Sequence, residues 1–125
     1  MSYVMIVDDV IDSCEALAKF LERAGYRVRC VPNGREALAD IIRDTPDVII
    51  LDLMMPVMDG PTLLEILRLY LRLQTLPVVV LTGIPDSPLV ERVRNAGVSS
   101  ILVKGKATFG EIERAVREAS HRLPS

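Results

Sequence analysis

The chain has 125 residues, 50% of them hydrophobic and 26% charged, which suits one domain with a substantial core. A net charge of -2 excludes the basic excess that marks a nucleic-acid-binding surface, and no apolar run is long enough to span a membrane. The N-terminus lacks a signal-peptide pattern, so the expectation is a cytoplasmic protein that touches neither nucleic acid nor membrane.

The first apolar run, "YVMIV" (3–7), is continuous rather than alternating, as in a strand covered on both faces of a parallel sheet. Asp8 and Asp9 follow it directly. Val10, Ile11, Cys14, Leu17, Ala18 and Leu21 then recur at helical spacing, and Gly25 closes that helix. "YRVRCV" (26–31) alternates, with Arg27 and Arg29 on one side and Val28 and Cys30 on the other, the pattern of an edge strand guarded by charge. Asn33 and Glu36 stand three apart before Ala37, Leu38, Ile41 and Ile42, as in a capping box. "VIIL" (48–51) is a second continuous run, and Asp52 follows.

Asp59 caps a helix expected over 61–71, rich enough in leucine that Leu69 and Leu73 are candidates for positions outside the core. Glu65, Arg68 and Arg72 form its polar strip. "PVVVL" (77–81) precedes Thr82 and Gly83. Asp86 or Ser87 caps a fourth helix with Pro88 in its first turn and Gly97 past its end. "ILV" (101–103) precedes Lys104 and Gly105. Thr108 and Glu111 make a capping box for a last helix that buries Ile112, Ala115, Val116 and Ala119. Cys14 and Cys30, without a C-x-x-C spacing or histidine partner, read as two buried small hydrophobes, and His121 as a solvated side chain.

Five strand–helix alternations in 125 residues imply a parallel sheet with helices on both faces and right-handed crossovers. In such a sheet everything that follows a strand lies on one rim, where ligands bind. Asp8, Asp9, Asp52, Thr82 and Lys104 therefore converge. Three carboxylates in one small volume repel, and at least one should hold a proton more readily than a free aspartate unless a hard divalent cation such as Mg2+ relieves them. With Lys104 as a point charge, Thr82 as donor and Gly83 leaving its backbone N–H approachable, the rim suits a phosphoryl group with a carboxylate as nucleophile.

"VDD" (7–9), "LDLMMPVMDG" (51–60), "VVLTG" (79–83) and "ILVKG" (101–105), in this order, resemble the receiver domain of bacterial two-component response regulators across the whole chain. The resemblance implies a flavodoxin-like (βα)5 sandwich with strand order 2-1-3-4-5, one receiver domain over 1–125 and no output domain in this chain. It implies Asp52 as phosphoacceptor, served by a histidine kinase or phosphotransfer protein. Asp9 and Asp52 would bind Mg2+ directly and Asp8 through water, with the backbone carbonyl of Met54 as a further ligand; Thr82 and Lys104 would contact the phosphoryl oxygens. The chain would be a stoichiometric acceptor with slow self-hydrolysis rather than an enzyme acting on outside substrates. Phosphoryl capture would draw the Thr82 hydroxyl inward and reshape a surface for an effector protein or output domain.

Two positions depart from that family pattern: Ile101 stands where an aromatic ring is common, and Gly105 where a proline in a cis bond is common. A trans bond is expected after Lys104. Two other functions compete. An aspartyl-phosphate phosphatase of another α/β family would carry a second Asp two residues after the nucleophile, where this chain has Met54. A receiver-like interaction module independent of phosphate would have no use for the intact Asp8, Asp9, Asp52, Thr82 and Lys104.

Overall fold

Continuous apolarity puts three strands at the centre of the sheet and leaves the less apolar ones at its edges. The computed structural model describes residues 2–121. Its five strands are β1 (Tyr3–Val7), β2 (Arg27–Val31), β3 (Val48–Leu51), β4 (Val78–Thr82) and β5 (Ser100–Val103). All pair in parallel, in the order β2-β1-β3-β4-β5. Every residue of β1, β3 and β4 is buried, whereas Arg27, Arg29 and Cys30 of β2 are exposed.

The two-residue period of the strands divides the core between two faces. Met5, Val7, Ile49, Leu51, Val78 and Val80 point to one side. There they meet Ala37 and Ile41 of α2 (Gly34–Arg43), Leu63, Leu64 and Leu67 of α3 (Gly60–Leu67), and Val90 and Val93 of α4 (Pro88–Ala96). Val4, Ile6, Val48, Ile50, Val79 and Leu81 point to the other side. They meet Cys14, Leu17 and Leu21 of α1 (Ile11–Arg23) and Ile112, Val116 and Ala119 of α5 (Phe109–His121). Full burial of each such aliphatic side chain contributes about 1.5–3 kcal/mol, so these two layers dominate stability.

The helix starts follow the expected side chains. Asn33 Oδ1 accepts the Glu36 N–H at 2.9 Å, Asp59 Oδ1 the Thr62 N–H at 2.9 Å, and Ser87 Oγ the Leu89 N–H at 3.1 Å. At α5 the box is reciprocal: Glu111 N–H donates to Thr108 Oγ1 at 3.0 Å, and Thr108 N–H to Glu111 Oε1 at 2.8 Å. α4 ends at Gly97, whose φ of +94° is one an L side chain rarely adopts.

Four local readings of the sequence are corrected. The helix expected over 61–71 stops at Leu67. Leu69 and Tyr70 donate to carbonyls three residues back, the chain tightens into a 3-10 turn over Leu71–Leu73, and Leu73 returns to the core, fully buried. Leu69 does lie outside, 81% exposed. The polar strip of that segment stands as read, with Glu65 and Arg72 exposed, and all three of its side chains also find partners. Arg68 reaches three carbonyls, Arg72 bonds Thr45 Oγ1 and the Ile42 carbonyl, and Glu65 pairs with Arg92. Val10, Ile11 and Ile42 keep their helical spacing but are exposed, because each apolar stripe is wider than its contact with the sheet.

Finally, Cys14 and Cys30 are not two separate buried hydrophobes. They form a disulfide, with Cα atoms 6.2 Å apart. The β1–α1–β2 crossover lays the first turns of α1 over the edge strand and so joins residues 16 apart in sequence. His121 ends α5 as an exposed side chain.

Candidate functional site

β1 delivers its two aspartates to the rim in different states. Asp8 is 7% exposed: its N–H donates to the Val31 carbonyl at 3.0 Å and its Oδ1 accepts the Val10 N–H at 2.9 Å. The second bond turns the chain into α1 and fixes the carboxylate. Asp9 is exposed. From β3, Asp52 anchors its N–H on the Val7 carbonyl at 3.0 Å and its Oδ1 on the Leu53 N–H at 2.8 Å. One carboxylate oxygen from each of Asp8, Asp9 and Asp52 lies within 4.8 Å of the others.

Lys104 supplies the positive charge of this cluster. Its N–H donates to the Thr82 carbonyl at 2.8 Å, which ties the end of β5 to the end of β4. Its Nζ donates to Asp8 Oδ2 at 2.7 Å and lies 3.9 Å from Asp52 Oδ2. One ammonium thus pairs with two of three clustered carboxylates, and repulsion is only partly relieved. Burial pushes the Asp52 carboxyl above the ordinary value of 3.8; Lys104 and the Leu53 N–H oppose the rise, while Asp8 and Asp9 add to it. A compact set of hard oxygen donors carrying excess negative charge has the chemistry that Mg2+ selects.

Thr82 is fully buried, and its hydroxyl oxygen accepts the Ile84 N–H at 3.0 Å. It meets the cluster through its main chain, by the bond to Lys104. Met54 is 60% exposed and shares with Asp9 the wall of an open cleft that Leu53, Pro56 and Leu89 also line. Ile101 is half-buried against the core side that carries α3 and α4. Among the described residues no peptide bond is cis, so the bond after Lys104 is trans as expected, and Gly105 turns with φ +86°. Proline cannot adopt that angle, so the glycine there makes a different turn rather than a looser copy of one.

Reading the sequence for chemistry missed the residues that hold the segment after Asp52. Gly60 starts α3 with its N–H on the Leu53 carbonyl at 3.0 Å. A Cβ on it would collide with the Asp52 carbonyl oxygen and come within 2.9 Å of the Leu53 Cα. Gly34 is pressed as closely, its N–H on the Met58 carbonyl at 3.1 Å and a Cβ position 2.7 Å from that oxygen. Between them Val57 adopts φ +71°, a strained angle for a β-branched residue, in a tight turn closed by the Met58 N–H on the Pro56 carbonyl at 2.8 Å. The flanking glycine contacts over-determine the loop enough to hold that strain. The "MDG" at 58–60 carried the signal: a glycine just inside a helix start has no role in helix propensity, so it marks a close approach.

A doubly wound parallel sheet with clustered aspartates and a lysine at the carboxyl ends of its strands defines an α/β protein with an acidic rim where ligands of this fold bind. Comparison narrows that class. The model of the response regulator receiver domain family matches residues 4–117, and the chain belongs to that family. It is 42% identical over 104 residues to the response regulator MprA of Mycolicibacterium vanbaalenii, covering 81% of this chain and 43% of that protein. Among solved structures it is similar to the receiver domain of a signal transduction histidine kinase from Syntrophus aciditrophicus. That match has 31% identity and a TM-score of 0.88, and covers 100% of this chain and 96% of the other. It is also similar to the Vibrio cholerae chemotaxis protein CheY4, at 30% identity and a TM-score of 0.85, over 95% and 98% of the two chains. The chain spans less than half the length of several curated relatives it matches. It is a receiver domain of two-component signalling with the flavodoxin-like fold. Among the described residues no helix is long and apolar enough to cross a membrane.

Proposed function

We propose that Asp52 is the phosphoacceptor of this receiver. A carboxylate oxygen of Asp52 attacks the phosphorus of a phosphohistidine on a histidine kinase or phosphotransfer protein. The new bond is P–O, the P–N bond breaks, and the leaving imidazole nitrogen takes a proton. Asp9 and Asp52 directly, Asp8 through water, and the Met54 carbonyl would hold Mg2+, which when bound supplies charge neutralisation to the phosphoryl oxygens. Lys104 adds its ammonium and Thr82 its hydroxyl to those oxygens. Catalysis is then positioning plus electrostatics, with no group turned over on an outside substrate beyond slow hydrolysis of the acyl phosphate.

The observation that carries this reading is the compact Asp8–Asp9–Asp52 cluster with Lys104 against it, on a chain of the receiver family. The partners that follow are a sensor kinase or phosphotransfer protein upstream and an effector protein or output domain downstream, met in the cytoplasm. In this reading residues 1–125 act as one receiver domain.

Intact-mass measurement after incubation with Mg2+ and a small phosphodonor tests the assignment. Wild type is expected to gain one phosphoryl group and Asp52→Asn none, a loss of at least about 100-fold in labelling rate. Equal labelling of the two proteins rejects Asp52 as acceptor.

A further inference from the structure

The disulfide between Cys14 and Cys30 has no part in phosphoryl chemistry, yet both of its ends are tied to the acidic loop. Val31, next to Cys30, accepts the Asp8 N–H at 3.0 Å. The Cys14 N–H donates to the Val10 carbonyl at 3.1 Å, and the Val10 N–H donates to Asp8 Oδ1 at 2.9 Å. Asp8, Cys14 and Cys30 also share the wall of one cavity of about 280 Å3. The bridge therefore straps α1 to β2 across the loop that carries Asp8 and Asp9.

Its two cysteines differ in access. Cys14 is 2% exposed and packs in the core beneath α1. Cys30 is exposed on β2, which among the described residues is an edge strand paired with β1 alone. An external thiol can thus reach Cys30, and the other end stays packed once released, as a small hydrophobe.

We infer that Cys14 and Cys30 form a reversible redox site that sets how firmly the β1–α1 loop presents Asp8 and Asp9 to a divalent cation, an inference that rests on the rim being a metal site. The co-reactant is a thiol, either a low-molecular-weight thiol or a dithiol oxidoreductase. Its thiolate attacks the sulfur of Cys30; an S–S bond to the external thiol forms, the Cys14–Cys30 bond breaks, and Cys14 leaves as a thiolate that takes a proton. A second external thiolate then attacks the external sulfur of the mixed disulfide, and Cys30 leaves and is protonated. Two electrons and two protons enter the protein, and two external thiols become one disulfide. An external disulfide runs the sequence backwards. The oxidised strap holds the loop in place for the cation. Reduction leaves the fold intact and lets the first turn of α1 and the Asp8–Asp9 segment move, so the cation must then order them.

The test uses the wild-type chain equilibrated in oxidised glutathione or in excess reduced glutathione, with free thiols counted by alkylation and intact mass. Mg2+ is then titrated against the amide resonances of residues 8–10. The expected result is no free thiol in the oxidised sample and two in the reduced one, with Mg2+ binding weakened about fivefold or more on reduction. Cys30→Ser, a change on an exposed edge position, is expected to bind as the reduced protein does in both buffers. Equal, measurable affinities in the two states overturn the coupling alone. Failure of oxidised glutathione to remove the free thiols overturns the redox site. A titration silent in both states overturns the metal reading itself, and this inference falls with it.

Discussion

At the amino-terminal end of the sheet Arg68 gives its guanidinium to the carbonyls of Ala96, Leu73 and Gly97, at 3.2, 2.9 and 2.7 Å, whereas at the carboxyl end three carboxylates cluster and two of them share one ammonium. Both ends take charge out of water. At the first, fixed acceptors surround the cation; burial lowers the guanidinium pKa from its ordinary value without a competing charge nearby. At the second, charges of one sign are in excess, and burial, with Asp8 and Asp9 adding to it and Lys104 opposing it, raises the Asp52 pKa. Burial of charge is costly at either place unless it is matched. One end is matched within the chain and serves stability. The other is left short of positive charge and suits a ligand that brings it.

The contrast is broken most severely at its stable end. Arg68→Ala strands three carbonyls where α3, α4 and the 3-10 turn meet, at about 1 kcal/mol each, so a loss of about 3 kcal/mol in urea unfolding is expected. Labelling of the folded fraction should not change, and a labelling defect as large as the stability defect would show that the two ends are not separate.

Gly60→Ala probes the join between them. The added methyl meets the Asp52 and Leu53 backbone, which cannot yield as a flexible side chain would. The expectation is a loss of about 1–3 kcal/mol together with slower labelling. Full stability with normal labelling would mean that the loop after Asp52 is not held as described.

The smallest effect is the most diagnostic. Because folding raises the Asp52 pKa, the native state binds more protons than the unfolded chain between 3.8 and the raised value. The stability this contributes is fully present below 3.8 and is lost as pH rises through the raised pKa. At neutral pH without Mg2+, Asp52→Asn should therefore melt a few degrees higher than wild type, and the gain should vanish near pH 3. A variant less stable than wild type at neutral pH would show that the Asp52 charge is matched within the chain, as that of Arg68 is by its three carbonyls.

Much of the site was legible because parallel strands force every following residue to one rim. Asp8, Asp9, Asp52 and Lys104 need no more than that geometry, and the structure gathers them within ion-pair and metal-ligand range. The helix caps were equally legible, since Asn33, Asp59, Ser87 and Thr108 act on N–H groups two or three residues away. Less could be read where the outcome depends on distant chain. The leucine period runs on past Leu67, but Arg68 finds acceptors 5, 28 and 29 residues away, the helix ends, and Leu73 is pulled inward.

Sequence by itself determined the alternation of strands and helices, the double-faced core and the chemistry of the rim, because periodicity and strand ends are local properties of the chain. Tertiary structure alone decided that Cys14 meets Cys30 and that Lys104 pairs first with Asp8. Each of these is a contact between segments whose spacing in sequence carries no trace of their distance in space, and only the packing of crossover helices on the sheet sets it.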